Sequence, residues 1–182
     1  SPEDSIWYDR DIRASLSFES GSGRGLHWDS GFAYVAINQA GLTIAEVVIA
    51  SNSISITKLG NADTPGGARD VALNRAKTHA IVADYQAGIS IIDVTDKSAP
   101  VYIKSLLPDG VDQMFRVSAV GDTAYALDNN NGMFVFDVTN PTDIRLIGRY
   151  DSPKPRGLFI TDDHTIFLAD ELLGLVILNW RN

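Results

Sequence analysis

The chain has 182 residues, no cysteine, 15 Lys/Arg against 23 Asp/Glu and a formal charge of -8. Those figures exclude disulfides, thiolate catalysis and Cys-ligated metal centres. They also argue against nucleic acid, which needs a basic footprint. No apolar run approaches the length of a membrane-spanning helix, so no membrane span is expected. The chain opens Ser-Pro-Glu-Asp-Ser without an initiator Met, a basic region or an apolar run, and reads as a mature or trimmed chain.

In chain order, Trp7-Tyr8 come first, ahead of any repeated pattern, and are a candidate protein interface. Residues 11–18 then read as an isolated strand. From Arg24 onward one plan recurs. Arg24-Gly-Leu-His-Trp is followed by Ala33-Tyr-Val-Ala and Gly41-Leu-Thr-Ile-Ala-Glu-Val. Arg69-Asp-Val-Ala-Leu is followed by Ala80-Ile-Val-Ala-Asp and Gly88-Ile-Ser-Ile-Ile-Asp-Val. Arg116-Val-Ser-Ala-Val is followed by Ala124-Tyr-Ala-Leu-Asp and Gly132-Met-Phe-Val-Phe-Asp-Val. Arg156-Gly-Leu-Phe-Ile is followed by Ile166-Phe-Leu-Ala-Asp and Gly174-Leu-Val-Ile-Leu-Asn-Trp. These runs are too short for helices and rich in Val, Ile, Phe and Tyr, so they are strands. A fourth run follows in three copies, at 53–59, 101–107 and 143–147.

A unit of about 45 residues with four short antiparallel strands is one blade of a β-propeller. The expectation is an all-β fold: one domain, residues 1–182, a small propeller of four blades of four antiparallel strands. The units run 24–68, 69–115, 116–155 and 156–182. The third strand of each unit is almost wholly apolar, which predicts burial on both faces. The glycines that open those strands suit a turn needing positive φ. Asp84, Asp128 and Asp170 are placed to bond the backbone of the same turns.

The last unit lacks an outer strand, and the N-terminus offers one. Residues 11–24 align without a gap to residues 143–156, sharing Asp-Ile-Arg, an aromatic, an acid-Ser pair and a closing Arg. Residues 11–18 are therefore read as the outer strand that completes the last blade. An unpaired edge would otherwise invite edge-to-edge association. Closure within one chain, giving a monomeric ring, is the favoured form. A strand-exchanged dimer and a fragment of a longer array are the alternatives.

The runs at 33–36, 80–84, 88–96 and 132–141 resemble the LVIVD repeat family, with its alanine-aromatic-valine-alanine-aspartate strand and its glycine-led strand ending Asp-Val-Ser/Thr. The first unit departs at Ile37 and Glu46. The fourth ends in Asn179-Trp180 without the Asp-Val-Thr joint. The resemblance implies a propeller from an exported, periplasmic or cell-surface protein. It implies no shared catalytic residues. The functional expectation is a non-enzymatic recognition or scaffold module with a protein partner or a place in a larger surface assembly, and no cofactor.

The recurring chemistry is the arginine that opens each first strand: Arg24, Arg69, Arg116 and Arg156. First strands line the axis of a propeller, so four guanidiniums there would make a candidate ring for a carboxylate or phosphate. An acid precedes each one (Glu19, Asp63, Asp109 with Asp112, and Asp151), so Arg–carboxylate pairs tying the blades together are the competing reading. The Asp128-Asn-Asn-Asn-Gly132 loop offers oxygen ligands but lacks the spacing of a calcium loop, and reads as a hairpin turn. His27, His79 and His164 fall in different units, which argues against a shared zinc or general-base site.

Overall fold

The computed structural model describes residues 14–18, 21–51 and 53–180. Among these there is no helix. Fifteen strands form four sheets, each an antiparallel meander in chain order. Sheet 1 holds β1 (Gly23–Asp29), β2 (Phe32–Ile37), β3 (Gly41–Ala50) and β4 (Ser53–Ala62). Sheet 2 holds β5 (Asp70–Leu73), β6 (His79–Ala83), β7 (Ile89–Asp93) and β8 (Val101–Leu106). Sheet 3 holds β9 (Met114–Val120), β10 (Thr123–Asp128), β11 (Gly132–Asp137) and β12 (Arg145–Tyr150). Sheet 4 holds β13 (Pro155–Ile160), β14 (Thr165–Asp170) and β15 (Gly174–Asn179).

The strands follow from short β-branched and aromatic runs cut by turn residues. Gly41, Gly88, Gly132 and Gly174 all have positive φ, as their place in the turns requires. Asp93 and Asp137 end their strands by accepting a bond from the N–H two residues on, Thr95 at 2.8 Å and Thr139 at 3.0 Å. Asp96 and Asn140 repeat the device for Ser98 and Thr142. The buried Val94 and Val138 between them anchor the joint in the core. This is the local work of the Asp-Val-Thr-Asp/Asn run.

The core lies between sheets, as three separate clusters. Tyr34, Ala36, Leu42 and Ile44 of sheet 1 meet Leu73, Ala80, Val82 and Ile92 of sheet 2. Ile81, Ala83, Ile89 and Ile91 of sheet 2 meet Ala124, Ala126, Phe134 and Phe136 of sheet 3. Tyr125, Leu127, Met133 and Val135 of sheet 3 meet Ile160, Ile166 and Leu168 of sheet 4. Alternation along each strand therefore gives one face to the preceding sheet and one to the following sheet. β1 packs beside β5, β5 beside β9 and β9 beside β13. No contact of comparable extent joins β13 back to β1.

One expectation meets a different outcome. The first unit differs from the others in that β3 and β4 run ten residues each as one long hairpin. The predicted double burial of the third strand holds for β7 and β11 and for the first half of β3. It fails for β15, whose residues alternate between exposed and half-buried. The cause is that the far face of sheet 4 has no neighbour among the described residues. Residues 14–18 belong to no strand there, and sheet 4 has three strands. Those residues lie instead on sheet 1. Residues 11–13 of the expected clasp lie outside the described residues.

Candidate functional site

The first strands bring the four arginines to the inner edge of successive sheets, but the structure treats each differently. Arg156 is exposed and committed: its Nε and Nη2 donate to Glu171 at 2.9 and 2.6 Å, and its Nη1 donates to Asn129 Oδ1 at 3.1 Å. Glu171 sits in the hairpin of its own sheet and Asn129 in that of sheet 3, so this arginine ties sheets 3 and 4. Arg69 is half-buried, its guanidinium 4.2 Å from the Tyr85 ring centroid. Its Nε is buried without a hydrogen-bond partner. Arg116 is exposed, and its charge helps to hold the Asp70 carboxyl ionised. Arg24 is exposed and lines a groove of about 450 Å³ with residues 14–18 and the free face of sheet 1.

The acids expected to pair with these arginines are engaged elsewhere. Asp151 accepts from Arg149 Nε at 2.6 Å, Asp112 from Asn130 Nδ2 at 3.2 Å, and Asp63 from the Thr64 N–H at 2.9 Å. Glu19 lies outside the described residues, as do Trp7 and Tyr8. The pairing rule failed at the described acids because Asp151 turns to the outer strand, Asp112 to the β10–β11 hairpin and Asp63 along its own backbone. Glu171 and Asn129, which do hold Arg156, come from hairpins that are distant in sequence.

A more regular constellation is the aspartate that ends the second strand. Asp84 accepts from the Thr64 hydroxyl at 2.7 Å, the Gly66 N–H at 3.1 Å and the Ser90 hydroxyl at 2.7 Å. Asp128 accepts from the N–H groups of Asp112 (2.8 Å), Gln113 (2.6 Å), Asn130 (3.0 Å) and Asn131 (2.9 Å) and from Asn131 Nδ2 (2.7 Å). Asp170 accepts from the Ser152 hydroxyl, the Lys154 N–H at 2.9 Å, and the Leu172 and Leu173 N–H groups at 2.7 and 2.8 Å. The turn-capping role is as expected for Asp128 and Asp170. The bonds to 64–66, 112–113 and 152–154 were not. Those segments are the crossovers that carry the chain from one sheet to the next. Each aspartate therefore rivets an incoming crossover to its own sheet. The sequence signal was present in the invariant spacing from this Asp to the Gly four residues on. Its long-range partners were not, because they lie 15 to 20 residues upstream in loops of unequal length.

Asp70, next to Arg69, is a further residue the repeat pattern does not flag, since the other units carry Gly or Val there. Its two oxygens accept from the Val71 and Val117 N–H groups at 3.0 and 3.1 Å, linking β5 to β9. Burial pushes its carboxyl up.

Burial also pushes Asp84 up, against the opposing bonds from Ser90, Thr64 and Gly66. Asp128 feels the same burial, yet its N–H donors outweigh it and hold the carboxyl below its ordinary value. Asp170 goes further: burial opposes, but Ser152, Leu173, Lys154 and Leu172 hold it at about 2, against an ordinary 3.8. A carboxyl depressed in the folded state contributes stability above its unfolded value and loses it as pH falls through the folded one. The melting temperature is therefore expected to hold above about pH 4 and to fall steadily toward pH 2. Asp170→Asn should flatten that fall. An unchanged profile in this variant would remove Asp170 from the account.

The histidines are brought to three separate sheets. His79 Nδ1 is 2.9 Å from the Thr78 hydroxyl, and His164 Nδ1 is 2.6 Å from the Tyr125 hydroxyl. Burial pushes Tyr125 up to about 12. His27 sits edge-on to Tyr34 at 6.3 Å, and burial lowers its pKa. Among the described residues no three His, Asp or Glu gather as a metal set.

Comparison with known proteins bears on the fold. The family model for the LVIVD repeat matches residues 21–64, 65–107 and 114–152. No curated protein matches the chain. Among solved structures, the computationally designed Ika4 protein superposes with a TM-score of 0.69 at 9% identity, over 92% of this chain and 96% of that one. A chain of a mitotic checkpoint complex gives 0.64 at 15% identity, over 87% and 47%. The β-propeller domain of Myceliophteria thermophila Cps50 (Swd1) gives 0.60 at 12% identity, over 91% and 54%. This chain thus spans about half the length of the last two.

Proposed function

This chain belongs to the LVIVD-repeat family, and from that premise we propose that it is a non-enzymatic recognition or scaffold propeller, exported or displayed at the cell surface, that binds a protein partner. In this reading it has four blades of four strands, with residues 11–18 supplying the outer strand of the last. One observation carries the functional reading. The polar groups that recur with the repeat, Asp84, Asp128 and Asp170, spend their bonding capacity on crossovers and turns. What varies from sheet to sheet is the loops, and loops on a rigid scaffold are where a recognition module differs from its relatives. The mitotic checkpoint match comes from a protein complex, a setting that suits such a use.

The test is a photo-cross-linking residue at Gln86 or Asn130, each in the loop before a third strand, on the full chain in its native cells. One discrete protein adduct is expected. Cross-links to no protein at either position would overturn the reading.

A second reading, a small-anion site on the inner wall, is favoured by the partnerless Nε of Arg69. It requires phosphate, sulfate or a dicarboxylate to raise the melting temperature above a chloride control of equal ionic strength, and Arg69→Lys to abolish the rise. The scaffold reading expects no such rise.

A further inference from the structure

Sheet 4 presents an apolar face that nothing covers among the described residues. Leu175 and Ile177 are 65% and 59% exposed, whereas their counterparts Leu42, Ile44, Ile89, Ile91, Met133 and Val135 are exposed by 2% or less. Phe159 on β13 extends the same face. At each internal boundary this face seats against the next sheet. The complementary face of sheet 1, with Leu26, Val35 and Val47, likewise lacks a preceding sheet. Among the described residues it carries residues 14–18.

Those residues occupy a telling place. At the internal boundaries an outer-strand residue of the preceding sheet joins the cluster: Ala62, then Leu106, then Tyr150. By the gapless alignment of 11–24 with 143–156, Phe18 corresponds to Tyr150. Phe18 lies against the start of β1 and helps to line the groove on sheet 1. Sheet 1 thus already holds the segment that the alignment equates with an outer strand.

The glycines give an independent sign of the same vacancy. A Cβ on Gly41, Gly88 or Gly132 would strike the carbonyl of Ala62, Leu106 or Tyr150, the end of the adjacent outer strand. At Gly174 nothing lies within 4 Å. The fourth glycine keeps the clearance for a strand end that the repeat places at Phe18.

We propose that two copies of this chain join head to tail, residues 14–18 and the apolar face of sheet 1 in one copy receiving β15 over residues 174–177, with the exposed Leu175 and Ile177, in the other, and reciprocally. The repeat register sets Ile177 opposite Leu16 and Leu175 opposite Phe18, as Val135 faces Gly148 and Met133 faces Tyr150. The contact is heterologous and closes if each copy supplies about half a ring, in keeping with a superposition that takes in 91% of this chain but 54% of a propeller domain. Closure by a single copy would have to bend three tightly packed boundaries, and interiors at crystal-like density resist that. The proposal rests on reading residues 11–18 as an outer strand.

The absence of native cysteine makes the test clean. Phe18→Cys with Leu175→Cys places two thiols on opposed positions, within disulfide reach if the strands pair. Mild oxidation is expected to give a covalent dimer on non-reducing gels. Light scattering on the unaltered chain is expected to give twice the chain mass. Leu175→Asp with Ile177→Asp should give a folded monomer, and Gly174→Ala should weaken the dimer about tenfold or more. A disulfide formed within one chain would overturn the second copy but keep the strand reading. No disulfide, with a monomer mass, would overturn both. None of these outcomes bears on whether the propeller binds a protein through its loops.

Discussion

Gly132→Ala is expected to destabilise the protein by about 3–5 kcal/mol. Gly132 has φ of 90°, where a side chain is strained whatever the space around it. A Cβ there would also meet the Tyr150 carbonyl, the Ser152 N–H at 2.5 Å and the Asp151 backbone at 3.1 Å. All three are backbone atoms of the crossover to sheet 4, held in turn by Ser152 on Asp170. They cannot give way as a flexible side chain would. The hairpin, the outer strand and the crossover must shift together. Calorimetry should show a fall of roughly 10 °C or more, given about 2–4 °C per kcal/mol for a chain of this size. Gly121→Ala is the internal control: its φ is 64° but its surroundings are open, so only the conformational cost of about 1–2 kcal/mol applies. Equal losses in the two variants would refute the steric half of the argument.

Asp128→Asn should cost about 3 kcal/mol, on the scale set by hydrogen bonds to a buried charged acceptor. The carboxylate is fully buried and receives five N–H donors, three on Oδ1 and two on Oδ2. An amide of the same shape would turn its NH2 toward N–H groups on one side and leave them unsatisfied. Four of the five donors are backbone groups and cannot rotate. Asp84→Asn is expected to lose only about 1 kcal/mol. Two of the Asp84 donors are the hydroxyls of Thr64 and Ser90, which can turn and accept from an amide instead. Burial already biases Asp84 toward its neutral form. Denaturant melts of the two variants side by side decide the matter. A loss at Asp84 as large as that at Asp128 would mean that burial, not donor geometry, sets the cost.

Both predictions turn on residues that the repeat made visible. Gly132 and Asp128 recur at fixed positions, and their local roles follow from turn chemistry alone. Their partners were less legible. Tyr150 reaches Gly132 because β11 pairs with β12, and Ser152 and the crossover at 112–113 reach these turns because the chain leaves and enters the sheet beside them. The arginines show the same division more sharply. Arg24, Arg69, Arg116 and Arg156 were legible as a set, and the first strands do run side by side. Their environments then diverge: Glu171 and Asn129 take Arg156, Tyr85 takes the face of Arg69, and Asp151 goes to Arg149. An ion pair between loops is set by where two backbones lie in space. One sequence gives only their order along the chain.

Periodicity was sufficient to determine the strands, their antiparallel order, the four-fold plan and the turn glycines, because each depends on contacts within about twenty residues inside one repeat. The alternation along each strand also fixed which side chains face which neighbouring sheet. What only the tertiary structure decided is how far the sheets turn relative to one another. That turn leaves Leu175 and Ile177 in solvent and sets residues 14–18 on sheet 1. It comes from packing three interfaces at once, a sum over contacts between distant residues that no local pattern encodes.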